Sequence, residues 1–176
     1  MQIGRRVRVR AGSGVPLSDP NYALNSTAWT VSLAQNTGAN ARIALPEGLA
    51  AGRNAMAIIR GIQVTSFDAC LWEFWFWSTS TFGSGDSREA FRGLYAFPAV
   101  GLQIAANGLY HASAASLDLF YEDDDAMTAQ GASGQAATNS QTGAFLNVTL
   151  LNRSAGGKTA AAWFDVTFVL EACLGW

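Results

Sequence analysis

An all-β fold, an antiparallel β-sandwich, is what this sequence predicts. Apolar residues recur mostly at every second position, the period of a strand. Clusters of Gly, Ser, Asn and Pro separate about eight to ten such runs, and stretches suited to a helix are few. The 176 residues suffice for one two-layer core.

The first run, IGRRVRVR, alternates, with Ile3, Val7 and Val9 on one face and Gly4, Arg6, Arg8 and Arg10 on the other. AGSGVPLSDPNYALNS follows, turn-rich and poor in core residues. Residues 1–28 therefore read as an extended N-terminal arm or edge segment, and 29–176 as a single sandwich domain. WTVSL groups Trp29, Val31 and Leu33. ARIAL groups Ala41, Ile43 and Leu45 opposite Arg42 and Ala44. NAMAIIRGIQVTS reads as one long strand with a bend or bulge at Gly61.

CLWEFWFW is apolar on both faces. Cys70, Trp72, Phe74 and Phe76 share one, and Leu71, Trp75 and Trp77 share the other, which only Glu73 interrupts. A half-solvated strand alternates apolar with polar residues. The second face is therefore covered either by a loop or helix of the same chain, or by a partner, since large exposed apolar patches mark interaction sites. Stacking on sugar rings is a third use of exposed tryptophan.

After the polar loop STSTFGSGDSRE, AFRGLYAFPAVGLQIAANG reads as one or two strands broken at Pro98 and Gly101. YHASAASLDLF is one of two places for a short helix, the other being a single turn in LPEGLAAGRNAMA. LDLFYEDDD is a strand ending in acid, and residues 126–143 form a long polar loop. FLNVTLLN and WFDVTFVLEA read as an antiparallel hairpin joined by RSAGGKT, with Leu146, Val148, Leu150, Phe164, Val166, Phe168 and Leu170 facing the core.

Charged residues make up only 14% of the chain, against about 25% in typical domains. Part of the surface is thus expected to be covered. The net charge of −2 gives no global attraction to nucleic acid or to a membrane. Lys158 is the only lysine, and arginine is the cation suited to interfaces. Cys70 and Cys173 are read as two small buried thiols, unless their strands are neighbours and they pair. The N-terminus lacks the apolar core of a secretory signal, so synthesis in the cytoplasm is expected. No segment has the length of a transmembrane helix.

Little points to chemistry. His111 is the only histidine, and no Gly-x-Ser-x-Gly turn supplies a nucleophile. One histidine and two cysteines do not make a zinc site. The run Glu122, Asp123, Asp124, Asp125 lacks the spacing of a calcium-binding loop; it reads as a solvated strand end, a cation site, or a contact for a partner's arginines. The arginine run has no second basic cluster to join it, so a partner's carboxylates suit it better than nucleic acid. No enzyme and no cofactor are expected.

With few lysines, Ala/Gly/Ser-rich loops and the ending FLNVTLLNRSAGGKTAAAWFDVTFVLEA, the chain resembles the auxiliary virion proteins of tailed bacteriophages. These include jelly-roll proteins that serve as capsid cement, decoration or head-fibre subunits. The resemblance implies a jelly-roll-like sandwich on the capsid surface, bound to the major capsid protein, commonly as a homotrimer. It implies a non-enzymatic role in stabilising the shell. Interface residues under that reading are Arg5, Arg6, Arg8, Arg10, Trp72, Trp75, Trp77 and Trp163. The alternative is a carbohydrate- or receptor-binding sandwich of a phage tail or fibre.

Overall fold

In a computed structural model, residues 6–12, 32–45, 56–79, 82, 87–104, 108–124, 145–156, 158–159 and 164–172 are described. Their elements are β1 (Arg6–Gly12), β2 (Ser32–Leu33), β3 (Gly38–Ala44), β4 (Met56–Ser66), β5 (Trp72–Trp77), a single helical turn α1 (Ser87–Ala90), β6 (Phe91–Ala96), β7 (Leu102–Gln103), β8 (Tyr110–Glu122), β9 (Phe145–Asn152), β10 (Lys158–Thr159) and β11 (Phe164–Ala172). The larger sheet runs β1-β11-β4-β8-β7 and the smaller β3-β9-β5-β6, while β2 and β10 form a separate pair. Every pairing is antiparallel.

Without the two-residue strands, the sheets read β1-β11-β4-β8 and β3-β9-β5-β6. The antiparallel pairs β1·β11, β3·β9, β4·β8 and β5·β6 then form one long ribbon, folded over so that successive pairs fall in alternate layers. This is a jelly roll, a double-sheet route to burying two apolar faces.

The core lies between the sheets. Ile43, Ile59, Ile62, Phe74, Phe76, Leu146, Val148, Leu150, Phe164, Val166, Phe168 and Leu170 are all fully buried. Apolar residues at period two on both β9 and β11 produce this, as their alternation predicts. The two strands do not form the expected hairpin, however. β9 pairs with β3 and β5, while β11 pairs with β1 and β4. Each presents its apolar face to the other across the core, which satisfies the same alternation as a hairpin would.

One further expectation changes. Residues 110–120 are strand, not helix: β8 pairs with β4 from Ser66↔Tyr110 to Met56↔Glu122. The Ala and Leu content allowed a helix, and the ladder with β4 overrides that weak preference. Where the polar stretch 78–89 ends, Ser87–Ala90 form the α1 turn. Residues 6–12 of the N-terminal segment form the outermost strand of the larger sheet, with Val9 buried.

Gly61 lies at an irregularity, as expected. Two steps along β4, from Gly61 to Ile59, match one step along β11, from Val169 to Leu170, and four along β8, from Ala115 to Leu119. Arg60 is the extra residue on β4. It reaches Glu171 Oε2 at 3.0 Å and Asp118 Oδ1 at 2.7 Å. Opposite it, Ser116 has φ +60°.

Candidate functional site

The aromatic strand β5 builds the site. Its inner side chains interlock with β11 across the core. Trp72 meets Phe164 edge-on at 5.1 Å, and Phe168 takes Phe74 at 5.6 Å and Phe76 at 5.9 Å. The Trp72 indole N–H donates to Ser66 Oγ at 3.2 Å, so the polar handle of a buried tryptophan is satisfied. Cys70 is buried beside it and donates to Asn152 Oδ1.

The outer side of the strand is ordered by register. Leu94, Trp75, Thr149 and Asn40 form one row across the smaller sheet, and Phe91, Trp77, Asn147 and Arg42 the next. Trp77 is only 7% exposed in the single chain. Its ring meets Phe91 at 5.5 Å and Trp75 at 6.0 Å, and its N–H donates to Thr149 Oγ1 at 2.9 Å. Thr149 donates onward to Asn40 Oδ1 at 2.6 Å. Trp75 is half-buried, edge-on to Phe91 at 5.8 Å, and donates its N–H to Glu73.

Glu73 is the one charge in this strand and is 8% exposed. Arg153 binds it with two nitrogens, Nε and Nη2, each at 2.8 Å. The Arg153 guanidinium also lies 6.0 Å from the Trp75 ring centre and donates to Asn36 Oδ1 at 3.2 Å. Hydrogen bonding from Arg153, helped by the Trp75 indole, holds the Glu73 carboxyl below its ordinary value against the opposing effect of burial. Much of the second face is thus shielded by a ring cluster and an ion pair of its own sheet.

Apolar surface is left open next to this cluster and at the β7 edge. Phe91 and Leu94 on β6 are exposed, as are Val100, Leu102 and Ile104, with Leu102 at 83%. The last three alternate, so they share one side of an extended segment. Leu102 is opposite His111 on β8. These side chains were present in the sequence as PAVGLQI, where the period-two pattern was the signal for an unpartnered apolar edge.

Of the other interface candidates, Arg6 and Arg8 are exposed on β1, opposite Glu171 and Val169, and Arg10 is opposite Thr167. Arg6 approaches Glu171 at 3.6 Å. Arg5 and Trp163 lie outside the described residues, as does Cys173.

The acidic run is built into one end of the sandwich. Arg92 bridges Glu122 at 2.7 Å and Asp124 at 2.8 Å, and Asp123, fully buried, accepts from Phe145 N at 2.7 Å. The neighbouring Tyr121 hydroxyl donates to Phe145 O at 2.7 Å and accepts from Asn147 N at 3.0 Å, tying β8 to β9. Asp125 lies outside the described residues. Among the described residues, no three His, Cys, Asp or Glu side chains form a group able to hold a metal, and no helix is long and apolar enough to cross a membrane. His111 Nδ1 lies 3.1 Å from Thr65 Oγ1.

The chain is thus an antiparallel jelly-roll sandwich with a ring-and-ion-pair cluster on the smaller sheet and an exposed apolar edge on the larger. Comparisons with protein-family models, with curated proteins and with solved structures found no match.

Proposed function

We propose that this chain is a structural subunit of a virus particle of the tailed-bacteriophage kind. It binds the outside of the capsid lattice, at the major capsid protein, and stabilises the shell without catalysis. The supporting observation is the open apolar surface at Val100, Leu102 and Ile104 on the β7 edge, together with exposed Phe91 and Leu94 on β6. A monomer at rest in water gains nothing from this surface, whereas a subunit held between others buries it at about 25 cal/mol per Å² before association costs. The jelly roll agrees with the role without choosing it, because the same architecture serves capsid and lectin domains alike.

The glycan-binding reading draws less from the geometry. Trp75 and Trp77 are packed edge-on against Phe91, and Glu73 and Thr149 already take their N–H groups. Little flat ring surface remains for a sugar.

The test is cosedimentation of the purified protein with phage heads assembled without it. Saturable binding and a raised melting temperature of the heads are expected. Binding on a glycan array with no affinity for heads overturns the proposal in favour of receptor recognition.

A further inference from the structure

The larger sheet ends in two edges of opposite character. At one edge, β1 carries Arg6, 69% exposed, and Arg8, with Arg10 next in line. At the other, β7 pairs with β8 only at Tyr110 and His111. From Ser113 to Phe120, β8 pairs with β4 except at the irregularity over residues 116–118, and among the described residues no strand pairs on its other side. Asp118 stands out there, its side chain 78% exposed in spite of its bond to Arg60. Phe120 is exposed, and even Leu117 and Leu119, which pack on the core, keep part of their surface open. Beyond them, Glu122 and Asp124 are paired with Arg92. One edge is basic, the other acidic and apolar.

The register says how the edges meet. β1 is antiparallel to β11, β11 to β4 and β4 to β8, so β1 is antiparallel to β8. A second copy displaced sideways along the sheet brings its β1 antiparallel to the free part of β8. Rows cross the sheet from Arg6 through Glu171 and Ile58 to Phe120, and from Arg8 through Val169 and Gly61 to Ala115. Asp118 lies between those rows. The incoming Arg6 and Arg8 therefore flank it. β7 occupies the row of His111, which limits the overlap to about the first five residues of β1.

We infer that copies of this chain join head to tail, β1 of one adding to β8 of the next, with Arg6 and Arg8 bound to Asp118 and apolar surface around Phe120 covered. This rests on the structural-subunit reading and names its partner, a second copy. Backbone pairing supplies the geometry, and charge complementarity selects the partner edge and the direction. A contact between two different edges is heterologous, and it builds a ring where the rotation between copies closes and an open filament where it does not.

The test is a cross-link. Residues opposite each other in an antiparallel pair lie about 4.5–5.5 Å apart at Cα, within reach of a disulfide. In a Cys173→Ser background, Arg8→Cys combined with Ala115→Cys is oxidised, and non-reducing gels are expected to show covalent multimers that neither single variant forms. Light scattering reads the same contact without cysteines. Arg8→Glu and Asp118→Lys are each expected to shift the mass towards the single 18.6 kDa chain, and the double reversal to restore assembly. Salt of about 0.5 M should also weaken it. A strict monomer overturns the inference, even if that monomer binds heads and so leaves the proposed function standing. Multimers that are indifferent to both reversals and yield no 8–115 cross-link also overturn it, because they use another face.

Discussion

Arg153 holds Glu73 by two parallel hydrogen bonds of 2.8 Å, joining the end of β9 to the start of the aromatic strand. A carboxylate that is 8% exposed among tryptophans depends on this partner. Arg153→Ala leaves the charge without it and is expected to destabilise the fold by about 2–3 kcal/mol. Glu73→Gln, which removes the charge but keeps the shape, should cost less. Urea unfolding of both variants checks this; equal losses would show that packing, not charge, dominates.

Acid should act through the same group and through Glu171. Hydrogen bonding from Arg60, with further help from Arg6, lowers the Glu171 carboxyl as Arg153 lowers Glu73. A lowered carboxyl stabilises the fold fully above the ordinary value of 4.5 and loses that contribution as pH falls through and below it. The urea midpoint is therefore expected to hold near neutrality and drop on acidification. In Arg153→Ala the drop should be shallower, since Glu73 no longer adds to it. An equally steep drop would assign the acid response to other groups.

Asn152, the last residue of β9 and the neighbour of Arg153, organises that same end of the strand. Its Nδ2 donates to Leu33 O and Gly156 O, both at 2.9 Å, and its Oδ1 accepts from Ser154 N at 2.8 Å and Cys70 Sγ at 3.0 Å. The side chain is fully buried. Asn152→Ala strands several of these groups and should cost about 3 kcal/mol. Asn152→Asp should cost at least as much, because it loses both donors and buries a charge. Denaturant titration gives the numbers, and near-wild-type stability of either variant refutes this account.

Gly101 sets the β7 edge. A Cβ there would lie 2.6 Å from the His111 carbonyl carbon and oxygen, too close for any rearrangement of a side chain to relieve. Gly101→Ala is expected to push β7 off β8 while leaving the core strands paired. Hydrogen exchange at residues 102–103 and 110–111 should accelerate, with β9 and β11 unchanged. Unaltered exchange at the edge would contradict the steric reading.

Much of the fold could be read from single strands. The alternation in β9 and β11 identified their core faces, and Gly61 marked the irregularity beside Arg60. Layer membership could not be read, because a period of two says which residues face inward but not which sheet holds the strand. β9 and β11 therefore looked like a hairpin. The ion pair between Glu73 and Arg153 was hidden for a related reason: 80 residues separate its members. Sequence distance carries no trace of a contact made only when the ribbon folds over. The aromatic second face of β5 was visible as a surplus, and its cover was not, since Phe91, Thr149 and Arg153 come from other strands and their ends.

The position of β11 sets the order in which the molecule can be completed. It is the last strand of the larger sheet to emerge during synthesis, yet it lies second in that sheet, between β1 and β4. Until it arrives, β1 has no neighbour among the described strands to pair with, and one flank of β4 lacks its partner. Nascent chains must therefore hold an unfinished sheet, with sticky flanks, until β11 has been made. Closure then joins segments more than 150 residues apart, Arg6 to Glu171. Such long-range closure is slow, and the waiting chain is exposed to misassembly. Production at lower temperature, or beside a chaperone, should raise the soluble yield more than any change to the finished surface.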